Sequence, residues 1–130
     1  MTLYDSSVLI DYLNGEDAAV RYVEDHLDKR AVAPPLVLFE VYQGEVFRSG
    51  AADFDAIDAA LDWVTVVDET RDFARTAAEF QNELHREGTA LTARDAFISG
   101  TAHELNERLA VSDSDFDVDG IRTAIDVDFV

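Results

Sequence analysis

A few of the 28 acidic residues stand where a carboxylate could do chemistry. Asp5 follows the apolar pair Leu3-Tyr4 and precedes Ser6-Ser7 and an apolar, helix-like run. A Ser at that junction suits an N-cap. Asp5 then falls at the carboxyl end of the first strand, where open α/β sheets place their ligands. It also reads simply as a helix N-cap or turn residue. Glu40 lies inside 36-LVLFEVYQG-44 and shares a helical face with Leu36, Gln43, Gly44 and Phe47, a face that reads as unsolvated. A buried carboxylate needs a partner cation, either an arginine or a metal. Asp95 stands three residues after Thr92, the spacing of a capping box. The helix dipole alone would stabilise it there, but residues 96–102 are small or apolar and carry the carboxylate inward. Asp113 and Asp115 follow the apolar stretch 109–111 and land at a strand's carboxyl end, the same edge as Asp5 if the sheet is parallel.

These positions are therefore expected to converge around a divalent cation. Three or four carboxylates in one pocket repel, or take up protons, unless a cation neutralises them. An oxygen-only donor set suits Mg²⁺, with Mn²⁺ as the alternative. His26, His85 and His103 fall in polar parts of helices at unrelated spacings, so no zinc site is expected. The absence of cysteine excludes disulfides and thiolate ligands.

Alternating short strands and helices must position these acids. Helix is expected over residues 8–13, stopped by Asn14-Gly15, and over 16–27. Residues 31–33 read as a strand. Pro35 suits the first turn of a helix over 36–48 that ends at Ser49-Gly50. Asp53 or Asp55 opens a short helix to 61, and residues 63–67 are β-branched and strand-like. Phe73, Ala77, Phe80 and Leu84 mark one stripe of an amphipathic helix over 70–87, stopped by Gly88. A helix from 92 to 105 and a strand at 109–111 follow, then an acidic turn over 112–120 and a last strand at 124–127. The alternation predicts one α/β domain over residues 1–130, its mostly parallel sheet of four to five short strands covered on both faces.

The composition sets further bounds. At 130 residues and 48% hydrophobic, the chain can bury a core of its own. With 28 acidic against 10 basic residues, its net charge is −18. Such a surface repels itself, and about 1 M salt, with a Debye length near 3 Å, removes most of that repulsion. A halophilic, high-salt cytoplasm is the reading we favour, with a basic partner masking the surface as the alternative. No membrane span and no signal peptide are expected.

The chain resembles the PIN-domain ribonucleases, most closely the VapC toxin group of toxin–antitoxin pairs. The resemblance rests on four segments in register: 5-DSSVLIDYLNG-15, 35-PLVLFEVYQG-44, 88-GTALTARDAFISGTA-102 and, more loosely, 110-AVSDSDFDVDGI-121. It implies a PIN-like three-layer fold and a Mg²⁺-dependent endoribonuclease. It also implies a homodimer and a cognate antitoxin that inhibits the enzyme. Carried over residue by residue, Asp5, Glu40 and Asp95 become metal-site acids, joined by Asp113 and in some registers Asp115. Ser7 becomes a small polar residue orienting ligands or water, and Val111 or Ser112 fills the family's Thr position. Glu40 or Asp113 would accept a proton from water. Arg94 and Arg86, nearest the third segment, are the candidates for holding RNA, and both also read as plain surface residues.

Other classes fit less well. A phosphoacceptor receiver domain needs a lysine near its last strand, and the only lysine is Lys29. A haloacid-dehalogenase-type phosphatase would want Asp where Ser7 stands. The stretch 115-DFDVDGIRTAID-126 matches a Ca²⁺-loop pattern, but Arg122 replaces its apolar anchor and strand-like segments flank it. A PIN-fold RNA-processing or RNA-binding protein without a toxin role remains the closer alternative.

Overall fold

The apolar triplets pair as parallel strands. In the computed structural model, which describes residues 1–48, 50–117 and 119–130 (the side chains of Asp119, Arg122 and Thr123 excepted), five strands form one sheet. They are β1 (Thr2–Tyr4), β2 (Ala31–Ala33), β3 (Val64–Val66), β4 (Arg108–Val111) and β5 (Val127–Phe129). Their order is β3-β2-β1-β4-β5, and every pairing is parallel. Parallel neighbours need crossovers, and the helices that supply them flank the sheet. The apolar character of β2 and of residues 109–111 in β4 follows, since both of their faces are covered. In the register of β1 against β4, Leu3 pairs with Leu109 and Tyr4 with Ala110. The Asp5 amide then donates to the Ala110 carbonyl at 3.0 Å, so the chain leaves both strands at one edge.

The helices are α1 (Ser6–Leu13), α2 (Asp17–Asp25), α3 (Pro35–Val46), α4 (Phe54–Ala60), α5 (Arg71–Arg86), α6 (Ala93–Leu105) and α7 (Asp119–Ala124). Pro35 occupies the first turn of α3, and Asp53 rather than Asp55 caps α4 by accepting from the Ala56 amide at 3.0 Å. Thr92 caps α6 through the Asp95 amide at 3.2 Å. Gly88, at φ +75°, takes the left-handed turn that releases the chain from α5. Ser49, expected at the end of α3, lies outside the described residues.

Two expectations change. At the start of α1 the cap is Asp5, the second reading open at that junction, and not a serine: its carboxylate accepts from the Ser7 amide at 3.3 Å, and the helix begins at Ser6. The last strand is Val127–Phe129, not residues 124–127, because α7 runs through Ala124 and the β4 register pairs Leu109 with Val127 and Val111 with Phe129. The acidic stretch after β4 is correspondingly no plain turn. A 3-10 turn, Ser114–Phe116, buries Phe116, and α7 begins at Asp119. The second half of the Ca²⁺-like pattern is therefore helical, while the Asp119 and Arg122 side chains that it invokes lie outside the described residues.

Leu3, Leu9, Val37, Ile98, Leu109 and Phe116 are buried in the core, each contributing about 1.5–3 kcal/mol by leaving water. Tyr4 lies edge-on to Tyr22 and Trp63, and burial together with the Asp128 charge pushes its phenol up to about 12. Asp128 accepts from Tyr22 at 2.6 Å and from Arg108 at 2.8 Å, tying α2 to β4 and β5. Among the described residues no helix is long and apolar enough to cross a membrane.

Candidate active site

Three carboxylates distant in sequence meet one guanidinium beyond the carboxyl ends of β1 and β4. Asp5 enters from the β1–α1 junction, Glu40 from α3, and Arg94 and Asp95 from the first turn of α6. Arg94 donates from Nε and NH2 to the two Glu40 oxygens at 2.6 and 2.7 Å, a bidentate fork. NH1 donates to Asp95 Oδ1 at 2.7 Å, and NH2 donates to Asp5 Oδ1 and to Ser6 Oγ, both at 2.7 Å. The Asp5 and Asp95 side chains are 2% and 6% exposed, whereas Glu40 and Arg94 are 26% and 28% exposed, so the cluster opens to solvent on the Glu40–Arg94 side.

A second set of bonds fixes Asp5. Its Oδ2 accepts from the Ser7 hydroxyl at 2.7 Å, and that hydroxyl accepts from the Ser112 amide at 3.0 Å. The end of β4 is thus locked to the end of β1 through Ser7. The Ser112 hydroxyl oxygen, buried at the same edge, has no hydrogen-bond partner among the described residues. Burial pulls the Arg94 pKa down, but the bonds to Glu40, Asp5 and Asp95 and the Asp5 charge outweigh it, and the net shift is upward.

The structure brings Asp5, Glu40, Asp95 and Ser7 together and adds Ser6. Asp113 lies at the same edge one residue past Ser112, half-buried, its Oδ1 accepting from the Asp115 amide at 2.9 Å as the cap of the 3-10 turn. Asp115 is exposed, and neither acid pairs with Arg94 among the described residues. Arg86 is exposed in the last turn of α5 and takes no part in the cluster.

The buried face of α3 differs from the expected one. Gln43, Gly44 and Phe47 are exposed, and α3 instead buries Val37 and Val41, because a helix apolar on several sides does not declare which stripe faces the core. Of the two cations expected beside Glu40, an arginine or a metal, the described residues supply the arginine, Arg94. The missed signal was position. Arg94 sits in the first turn of a helix, where a cation opposes the dipole and needs other acids to hold it.

The family model described as PIN domain matches residues 2–120. The chain belongs to the PIN domain family. Solved structures similar to this PIN chain share its fold. A toxin–antitoxin complex from Klebsiella pneumoniae superposes with a TM-score of 0.76 at 21% identity, covering 92% of this chain and 94% of that one. VapBC-1 from nontypeable Haemophilus influenzae gives 0.78 at 16% identity, covering 98% and 96%. VapBC2 from Rickettsia felis, bound to a DNA fragment from its promoter, gives 0.77 at 15%, covering 98% and 97%. Comparison with curated proteins finds no match.

The divalent ion implied by the PIN resemblance fits this site by donor chemistry. The site offers carboxylate and hydroxyl oxygens, the hard donors that Mg²⁺ and Mn²⁺ take. One guanidinium against three carboxylates leaves two negative charges uncompensated. As the side chains stand, however, no group of three or more acids or histidines among the described residues is placed to hold an ion directly. The point on which they converge is filled by Arg94.

Proposed function

We propose that this PIN protein is a metal-dependent endoribonuclease, the toxin of a type II toxin–antitoxin pair, working as one domain over residues 1–130 in a high-salt cytoplasm. The observation that carries the reading is the convergence of Asp5, Glu40 and Asp95, from three distant segments, on one point at the carboxyl edge of the sheet. Asp5 and Asp95 would hold Mg²⁺, or Mn²⁺, with Glu40 and Asp113 completing the set and Asp115 as an outer acid. Such an ion supplies a Lewis acid for the scissile phosphate and lowers the pKa of water.

The chain's own residues do the remaining work. Ser7, bonded to both Asp5 and the Ser112 amide, holds the Asp5 carboxylate in one orientation. Glu40, the most solvent-open of the three acids on Arg94, would accept a proton from an attacking water, and Asp113 at the rim is the other candidate. Arg94 and Arg86, the cations nearest to Asp95 in the sequence, would contact RNA phosphates. Phosphate neutralisation normally supplies much of RNA affinity, but that term shrinks in high salt, which suits a chain with 10 basic residues.

A protein partner is supported by an exposed apolar groove on α3 and α4, of about 440 Å³, lined by Phe39, Tyr42, Val46, Phe47 and Phe54. Contiguous exposed apolar surface of this kind marks an interaction site. We assign to this protein a cognate antitoxin and a homodimeric state. The guanidinium filling the acidic cluster favours one second reading, a PIN-fold RNA-processing or RNA-binding protein without a toxin role.

The test is incubation of the purified protein, in high-salt buffer and free of any antitoxin, with total RNA in Mg²⁺, in Mn²⁺ or in EDTA. Asp95→Asn is run alongside after its fold is verified by circular dichroism. Metal-dependent cleavage by the wild type that the folded variant lacks supports the nuclease. Intact RNA under every condition sinks it and leaves the RNA-binding reading.

A further inference from the structure

Arg94 occupies the cluster in an unusual way. Its NH2 nitrogen sits 2.7 Å from each of Asp5 Oδ1, Ser6 Oγ and Glu40 Oε1, three oxygens from two separate segments. Its other nitrogens bond Glu40 Oε2 and Asp95 Oδ1. The guanidinium therefore stands at the shared focus of the acids, where an oxygen-seeking cation would have to sit. A Mg²⁺ ion takes such oxygens at about 2.0–2.1 Å, and a nitrogen already in contact with three of them leaves no room for it. Two cations at one focus also repel strongly when partly shielded from water.

We propose that Arg94 is a tethered counter-cation that fills the divalent-ion position and must swing out before an ion binds, so that the chain competes with its own metal. This rests on the reading that Asp5, Glu40 and Asp95 are the metal acids, and it adds the regulation of that site. Two features suit Arg94 to leaving. Its side chain is 28% exposed, so a path to solvent exists on the Glu40 side. It also lies in the first turn of α6, where the helix dipole disfavours a cation, so its bonds to the acids and to Ser6 hold it in place. Metal loading then becomes an exchange of one guanidinium for one divalent ion. A free carboxylate cluster would bind that ion more tightly, because affinity rises with the ligand charge left uncompensated.

The test is Mn²⁺ binding, measured by calorimetry and by loss of the free-ion electron paramagnetic resonance signal. Wild type, Arg94→Met, Arg94→Lys and Asp5→Asn are compared at one fixed salt concentration, each after a circular dichroism scan. Asp5→Asn reports the background from the acidic surface. The expected result is Mn²⁺ affinity raised on the order of tenfold or more in Arg94→Met, a difference of about 1.4 kcal/mol. Arg94→Lys should fall between, since one ammonium cannot span three acids. If Arg94→Met fails to fold without metal, Arg94→Lys alone decides by tighter or unchanged binding. Equal or weaker Mn²⁺ binding in the folded Arg94 variants, with Asp5→Asn still reduced, overturns the competition and leaves the metal acids standing. Binding no stronger than in Asp5→Asn throughout removes the metal acids and the competition together.

Discussion

Gly100→Ala should destabilise the protein through the contact between α5 and α6. A Cβ at position 100 would lie 2.5 Å from the Ala77 Cα and 2.7 Å from its Cβ. Non-bonded carbons settle at about 3.5–4.0 Å, so the helices must separate by roughly 1 Å. The nearest atom is backbone, and no side chain can rotate out of the way. Overpacking of this kind costs about 1–3 kcal/mol, and replacing a mid-helix glycine by alanine returns up to about 1 kcal/mol. A 2.5 Å contact with backbone puts the cost in the upper part of that range, about 2–3 kcal/mol, so the net loss is about 1–2 kcal/mol, a fall in Tm of roughly 3–10 °C for a chain of this size. Urea unfolding followed by circular dichroism measures it. Ala77→Gly added to Gly100→Ala removes the 2.7 Å contact but not the 2.5 Å one, so the double variant should recover only in part. Because α6 also carries Arg94 and Asp95, the proposed cleavage should drop further than the folded fraction does, on the order of 10²-fold for a 1 Å displacement. A single variant as stable as the wild type would refute this account of the packing.

Further outcomes follow from other contacts. Burial raises the Glu69 carboxyl above the ordinary Glu range, with the Thr101 hydroxyl opposing. A raised acid favours the folded state below its unfolded pKa, and that contribution is lost as pH rises through the folded value. Glu69→Gln should therefore raise Tm at pH 7 and change it little near pH 4, as a pair of thermal scans would show. Tyr4, pushed up to about 12, should stay un-ionised at pH 11, and absorbance titration of Tyr4→Phe against the wild type should differ only above that pH. Tyr22→Phe deletes a 2.6 Å bond to Asp128 and should cost about 1.5–3 kcal/mol, the range for a hydrogen bond to a charged group, read by urea unfolding. Phe47 is 79% exposed, so Phe47→Ser should change stability by no more than about 0.5 kcal/mol while weakening capture of the proposed antitoxin in a pull-down.

Most of the fold could be read from local chemistry. Residues 31–33 form a strand as the apolar triplet bounded by Pro34 indicates, and Thr92 caps α6 as its spacing to Asp95 predicts. What escaped depends on partners far along the chain. The start of β5 is set by pairing with β4, which no pattern inside residues 120–130 specifies. The tie between the Ser7 hydroxyl and the Ser112 amide, 105 positions away, is equally invisible in the local pattern around Asp5. At the site, the acid types and their strand-end positions were visible in the chain. Arg94 was visible only as a neighbour of Asp95, since its bonds to Asp5 and Glu40 span 89 and 54 positions. α3 failed for a different reason: apolar on several sides, it hides which face it buries.

The most direct test of the central claim is a crystal structure of the protein grown with Mn²⁺, with anomalous scattering used to locate the ion. The account predicts one strong peak within ligand distance of Asp5, Glu40 and Asp95, with the Arg94 guanidinium withdrawn from their oxygens. A peak elsewhere, or an Arg94 that still bridges the three acids at saturating Mn²⁺, would contradict it.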